Sequence, residues 1–249
     1  SKGVINDTAS VEDVTNAYTQ FGAAGISVLT DNAFFGGSIN DLSIAVKNPI
    51  PVLRKEFIID EFQLLEAKAY GASVILLIAA CLTSLELKNY GKLANDLGLE
   101  VLYEVHSQGD LDRIGDLDNK IIGINNRNLN TFEVDLEHSI KLADQIPDSS
   151  IKVSESGISD PRIITGLKEY GFQGFLIGEN FMKEEQMVRE YFPKNKDEAK
   201  IEYEKNFEML GKRHGEYKED KRTLQNIYKD KEKERVKVSV TKENFSNMD

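Results

Sequence analysis

Residues able to do proton chemistry recur at one kind of place in this sequence, directly at the end of a short apolar run. Lys55 and Glu56 close PVLRKEF, Glu104 lies in EVLYEV, and IIGIN runs into Asn125, Asn126 and Arg127. IKVSES presents Glu155, Ser156 and Gly157, and GFLIG leads to Gly178, Glu179 and Asn180. A lysine and carboxylates gathered in an apolar mouth shift one another's proton affinities and can act as acid and base. Glycines beside them let backbone N–H groups approach a phosphate. Taken singly, each residue has a plainer role. A lone Lys or Glu at a strand end reads as a solvated rim residue, Arg127 as a surface ion pair, and Gly157 and Gly178 as turn glycines. Recurrence at separate runs outweighs those readings and predicts catalysis on a phosphorylated small molecule. Phe34, Phe35 and Phe57 near the same rim fit either a core or a wall that stacks on an aromatic substrate.

The elements that must hold these residues follow from the runs themselves. Seven runs rich in Val, Ile and Leu begin near Gly25, Pro51, Ser73, Glu100, Ile121, Ile151 and Gly174. Their spacing is that of one βα unit, and their continuous apolar character is that of strands buried on both faces of a parallel sheet. Helical patterns fill the intervals. Thr83 and Glu86 make a capping box for a helix ended by Gly98, and Ser159-Asp160-Pro161 open another that stops at Gly171. Seven βα units in a row predict a (β/α)8 (TIM) barrel, whose catalytic groups stand at the C-terminal strand ends. An open doubly wound sheet would carry a Gly-rich fingerprint after its first strand, and none is present.

Composition narrows the function further. The 249 residues hold 31 Lys and Arg against 42 Asp and Glu, a net charge of −11. Such a balance argues against nucleic acid or an anionic membrane as partner, since phosphate backbones need a basic footprint. Cys81 stands alone, and His106, His138 and His214 lie far apart, so neither a disulfide framework nor a zinc-like cluster is expected. No apolar run reaches membrane-span length, and the chain opens on no signal-like segment, which predicts a soluble, cytoplasmic protein. Residues 193–249 differ from the rest, with 15 basic and 13 acidic residues and only two of the 18 glycines. A boundary is therefore expected near Pro193, with the barrel in 1–192 and a charged extension in 193–249. That extension reads as a foreign or out-of-frame addition, helical in places. In the alternative, the alternating stretch Arg235–Thr241 is a strand that pairs with an open sheet edge.

VLTDNAFFGGS (28–38), VLRKEFIIDEFQ (52–63), GINNRNL (123–129), VSESGI (153–158) and FLIGENFM (175–182) together resemble the indole-3-glycerol phosphate synthase family of tryptophan biosynthesis. The similarity runs from Ser1 to about Met182, in order and in spacing. It implies a carboxy-lyase that closes the indole ring of a carboxyphenylamino-deoxyribulose phosphate with loss of CO2 and water. By the same resemblance Lys55 is the general acid on the substrate ketone, and Glu104 its partner in the later dehydration. Asn125 and Glu155 hold the substrate hydroxyls and the reacting region, and Arg127 is the basic residue of the GINxRxL motif. Ser156, Gly157, Gly178 and Glu179 form a phosphate cradle, in which Glu179 must offer its N–H and turn its carboxylate away. Phe35 and Phe57 wall the anthranilate ring. No metal or organic cofactor is implied, and association with other tryptophan-pathway enzymes is left open.

The resemblance also has departures. Ser1-Lys2-Gly3 matches the end of the family's loop after its first strand, so the first strand, with a Glu and a Lys, falls upstream of Ser1. The expectation is a barrel with seven recognisable units and weak or no turnover by the chain as written. An inactive phosphate-binding fragment of the family, or another phosphate-binding barrel enzyme of amino-acid biosynthesis, are the alternatives.

Overall fold

The computed structural model describes residues 10–127 and 133–183. All seven apolar runs form strands: β1 (Ile26–Leu29), β2 (Val52–Lys55), β3 (Val74–Ile78), β4 (Glu100–Val105), β5 (Ile121–Asn125), β6 (Ile151–Glu155) and β7 (Phe172–Leu176). Only β7 starts earlier than its apolar run suggests, at Phe172, whose ring is fully buried. Every neighbouring pair is parallel, in the order β1-β2-β3-β4-β5-β6-β7. Helices return the chain after each strand. Those that position the site are α1 (Val11–Gln20), α2 (Asn32–Phe35), α3 (Ile39–Ala45), α4 (Glu61–Ala69), α5 (Ser84–Asp96), α6 (Gln108–Ile114), α7 (Leu136–Ala143), α8 (Pro161–Lys168) and α9 (Glu179–Lys183).

The local chemistry of the helix starts is as the sequence reads. Thr83 and Glu86 form a reciprocal capping box on α5, and Asp60 with Gln63 forms a second one on α4. Asp160 caps α8 with Pro161 in its first turn. Each satisfies N–H groups that the helix itself leaves unpaired. Gly98 and Gly171 follow helices α5 and α8 with φ of 65° and 82°, the left-handed turn that stops each helix.

Alternation along the strands divides the apolar residues into two cores. Ile75, Leu77, Val101, Tyr103, Ile122 and Ile124 face outward and join the cluster that packs beneath the helices. Leu53, Leu76, Ile78, Leu102 and Val153 face the other way and form a separate cluster. Leu53 lies on β2 and Val153 on β6, four strand spacings apart, or about 19 Å across a flat sheet. Their membership of one cluster requires the sheet to curl, and this second core lies on the concave inner face of a barrel-like sheet of seven strands. β1 and β7 are the two edges of the sheet among the described residues. Across them Tyr18 of α1 and Phe181 of α9 meet with ring centroids 5.8 Å apart. The extension 193–249, and with it Arg235–Thr241, lies outside the described residues.

Leu76 is fully buried in the interior cluster, directly beneath the mouth. Leu76→Ala is expected to destabilise the barrel by about 2–5 kcal/mol, read as a lower urea midpoint at unchanged slope.

Candidate active site

Lys55 ends β2 on the barrel's inner face, in register with Leu29 of β1. Its ammonium lies 2.9 Å from Glu155 Oε2 at the end of β6 and 3.1 Å from Glu104 Oε2 near the end of β4. Both carboxylates are almost fully buried. Asn125, at the end of β5 between them, donates through Nδ2 to Glu104 Oε1 at 3.0 Å. Its Oδ1 accepts the Arg127 backbone N–H at 3.0 Å, which turns the chain out of the strand. The four residues expected from the sequence to do the chemistry thus converge from four strands into one bonded group.

Their proton affinities diverge. Burial works against the charge on Lys55, but Glu155 and Glu104 outweigh it and hold the ammonium above the ordinary lysine value. Glu104 is desolvated too, yet Lys55, the Asn125 amide and His106 carry its carboxyl below the ordinary range. Glu155 has less support. Burial and the neighbouring Glu104 charge push it up to about 7 against the pull of Lys55. Its Oε1 is buried without a hydrogen-bond partner. The mouth therefore holds a charged lysine, an ionised carboxylate and a second carboxyl poised to exchange a proton near neutrality.

Other expected residues sit around this group. Phe35 stacks on Phe57 with ring centroids 5.0 Å apart and planes 9° from parallel. Phe34 meets Phe57 edge-on and is itself 69% exposed. Phe34 and Phe35 come from α2, which follows β1, and Phe57 from the loop after β2. On the opposite side, after β6 and β7, Ser156 and Gly157 are both left-handed, with φ of 68° and 72°. A Cβ on Gly157 would lie 2.3 Å from Val134 Cγ1, so position 157 has neither the space nor the backbone for a side chain. Gly178 is open on the side a Cβ would occupy, and Glu179 opens α9. The Glu179 carboxylate lies 3.5 Å from the Arg127 guanidinium.

Glu56 departs from its strand-end neighbours. Alternation sends it outward, away from Lys55, where it lies 2.9 Å from Arg54 Nη2 and accepts from Gln63 Nε2 at 2.6 Å. Thr30 donates its hydroxyl to the same carboxylate, and Arg54 also pairs with Glu66 of α4. Gln63 in turn donates to the Phe57 carbonyl and accepts the N–H groups of Ile59 and Asp60. This cluster fixes the loop that carries Phe57 and backs the strand that carries Lys55. Sequence reasoning also passed over His106, whose Nε2 lies 3.3 Å from Glu104 Oε1. It missed Gly123 as well. Gly123 is paired with Glu104 across β4 and β5, and a Cβ there would lie 2.1 Å from Glu155 Oε1. A glycine inside the strand run IIGIN was the available signal, since such a glycine often marks a close approach. Among the described residues no three His, Cys, Asp or Glu side chains group as metal ligands.

Residues 1–191 match the family model of indole-3-glycerol phosphate synthase. The chain belongs to the indole-3-glycerol phosphate synthase family. A relative of that name from Bacteroides thetaiotaomicron is 50% identical over 188 residues, covering 74% of this chain and 70% of the relative. Others from Polaromonas naphthalenivorans and Koribacter versatilis are each 45% identical over 184 residues, covering 74% of this chain and 70% and 71% of theirs. Among solved structures, N-acetylmannosamine-6-phosphate 2-epimerase from Clostridium perfringens aligns with a TM-score of 0.55 at 12% identity. That alignment covers 75% of this chain and 86% of the epimerase. At that identity the likeness is one of fold, and it agrees with a TIM barrel. The motif segments 28–38, 52–63, 123–127, 153–158 and 175–182 lie at the C-terminal ends of β1, β2, β5, β6 and β7.

Two outcomes follow for the carboxylate pair. Gly123→Ala displaces the end of the flexible Glu155 side chain rather than backbone, so the variant is expected to fold while kcat falls by about tenfold or more. Between its ordinary value of 4.5 and about 7, Glu155 keeps a proton in the folded chain that the unfolded chain has released. Its contribution to stability is thus present below that window and lost as pH rises through it. Glu155→Gln is expected to flatten the fall of the melting temperature between pH 5 and 8; an unchanged profile would assign the slope to other groups.

Proposed function

We propose that this barrel catalyses the indole-3-glycerol phosphate synthase reaction, with Lys55, Glu104, Asn125 and Glu155 at its centre. The substrate is 1-(2-carboxyphenylamino)-1-deoxyribulose 5-phosphate and the product indoleglycerol phosphate, a decarboxylating lyase step of tryptophan biosynthesis. The observation that carries this reading is the Lys55 ammonium between two buried carboxylates.

The ring carbon that bears the substrate carboxylate attacks the ketone carbon, and the new C–C bond leaves the ketone oxygen needing a proton. Lys55 supplies it. In the free site both carboxylates hold that proton tightly, and a substrate oxygen that displaces one of them weakens the hold at the moment of transfer. The C–C bond to the carboxylate then breaks, CO2 leaves, and its electron pair restores the aromatic ring. In the dehydration the new hydroxyl departs as water while the adjacent carbon gives up a proton. Glu104, kept ionised by Lys55 and Asn125, works with Lys55 in that step. Asn125 and Glu155 hold the substrate hydroxyls around the reacting carbon.

The flanks of the mouth suit the two ends of such a substrate. Phe35 and Phe57 offer an apolar wall for the anthranilate ring on the β1–β2 side. Ser156, Gly157, Gly178 and the backbone of Glu179 offer N–H groups for the phosphate on the β6–β7 side, with Arg127 beside them. The residues assigned these roles lie in the segment 1–192, and the ring closure itself needs only proton transfers and loss of CO2. A free, exposed Cys81 fits a reducing, cytoplasmic setting. No helix among the described residues is long and apolar enough to cross a membrane.

Formation of fluorescent indoleglycerol phosphate by the full chain tests the assignment. Lys55→Ala is expected to lower kcat by about 100-fold or more while the fold persists. A rate that survives the substitution would remove Lys55 from the role of general acid.

A further inference from the structure

Asn126 is the middle residue of the Asn125-Asn126-Arg127 run, and it points away from the reacting group. It is 3% exposed. Its side-chain amide donates to Ser156 O at 2.7 Å and to Ser154 Oγ at 3.0 Å. Its own backbone N–H donates to Glu155 O at 2.9 Å, and its carbonyl accepts Asp135 N–H at 2.9 Å. One buried residue of the β5 end is therefore bonded to three consecutive residues of the β6 end, on both sides of Glu155.

The residue it holds most closely is strained. Ser156 has a φ of 68°, a left-handed conformation that a side chain disfavours, and Gly157 continues it at 72°. A serine released from its tether relaxes toward negative φ, which swings its own N–H and that of Gly157 off their present direction. The bond from Asn126 Nδ2 to the Ser156 carbonyl opposes that relaxation from within the core, where a hydrogen bond lost is not replaced by water.

We propose that Asn126 is a positioning residue that clamps the Ser156–Gly157 turn in its left-handed form, and so sets the affinity of the site for the substrate's phosphate. The inference deepens the functional reading above and rests on residues 156 and 157 belonging to the phosphate slot. Asn126 touches neither the reacting atoms nor Lys55; its influence runs through backbone geometry.

The test uses the full chain with two probes, the phosphorylated substrate in steady-state kinetics and inorganic phosphate in thermal-shift titration. Asn126→Ala is expected to raise KM and the phosphate midpoint by about tenfold each, with a smaller change in kcat. Adding Ser156→Gly, which tolerates positive φ without strain, is expected to recover several-fold of both losses. A merely structural role predicts a lower melting temperature with KM and phosphate affinity unmoved, and that result overturns the proposal. So does a double variant that recovers nothing. Where Asn126→Ala does not fold, the nearly isosteric Asn126→Leu carries the same test; failure of both makes Asn126 a core residue and also overturns the clamp. Failure of the phosphate reading looks different, because inorganic phosphate would then leave even the wild-type chain unstabilised.

Discussion

An ammonium held between two buried carboxylates sets the terms for everything around it. Lys55, Glu104 and Glu155 stand on β2, β4 and β6, and atoms of β2 and β6 come within 2.9 Å only because the parallel sheet curls on itself. Flat, the same strands would keep the two side chains about 19 Å apart at their origins, beyond their combined reach. Once curled, the sheet has to satisfy one positive group and two buried negative ones. It does so unevenly. Glu104 gains the Asn125 amide and a nearby His106, whereas Glu155 is left with one oxygen on Lys55 and one with no partner. Similar carboxylates thereby acquire opposite tendencies, one fixed as an anion and one ready to hold a proton.

The group needs room as well as charge. Two inward carboxylates and a lysine crowd the top of a small barrel, and Gly123 provides the space into which Glu155 folds. Beneath that level Leu53, Leu76, Leu102 and Val153 belong to one buried apolar cluster, so the polar layer rests on packed side chains on that part of the inner face. Outside the barrel the same two-residue alternation sends Arg54 and Glu56 into a buried network with Thr30, Gln63 and Glu66. Buried charges of this kind contribute little net stability once their desolvation is counted. Their effect is positional, because Gln63 ties α4 to the loop that carries Phe57, and Arg54 precedes Lys55 in the chain.

Function follows from the arrangement of the flanks about that centre. An aromatic pair lies on one side, the left-handed Ser156–Gly157 turn on the other, and Lys55 stands between them. A substrate with a ring at one end and a phosphate at the other would span the mouth with its ketone over Lys55. The family relationship supplies such a molecule.

Much of this was legible in the sequence. Continuous apolar runs fixed seven strands, since a strand buried on both faces must be apolar throughout, and capping residues marked the starts of α5 and α8. The motif residues at the strand ends identified the family and the central four side chains. What the residues alone left undetermined was direction and distance. The neighbouring residues Lys55 and Glu56 look equivalent in the chain, yet the pleat turns one into the mouth and the other into the wall. Asn125 and Asn126 look equivalent too, but one bonds Glu104 and the other the Ser156 backbone. The values that separate Glu104 from Glu155, the space above Gly123 and the strain at Ser156 arise from atoms far apart in sequence. Local propensity and pattern specify elements, because they act over a few residues. Only the curl of the sheet decides which of those elements' side chains share an environment, because electrostatics and packing act through space.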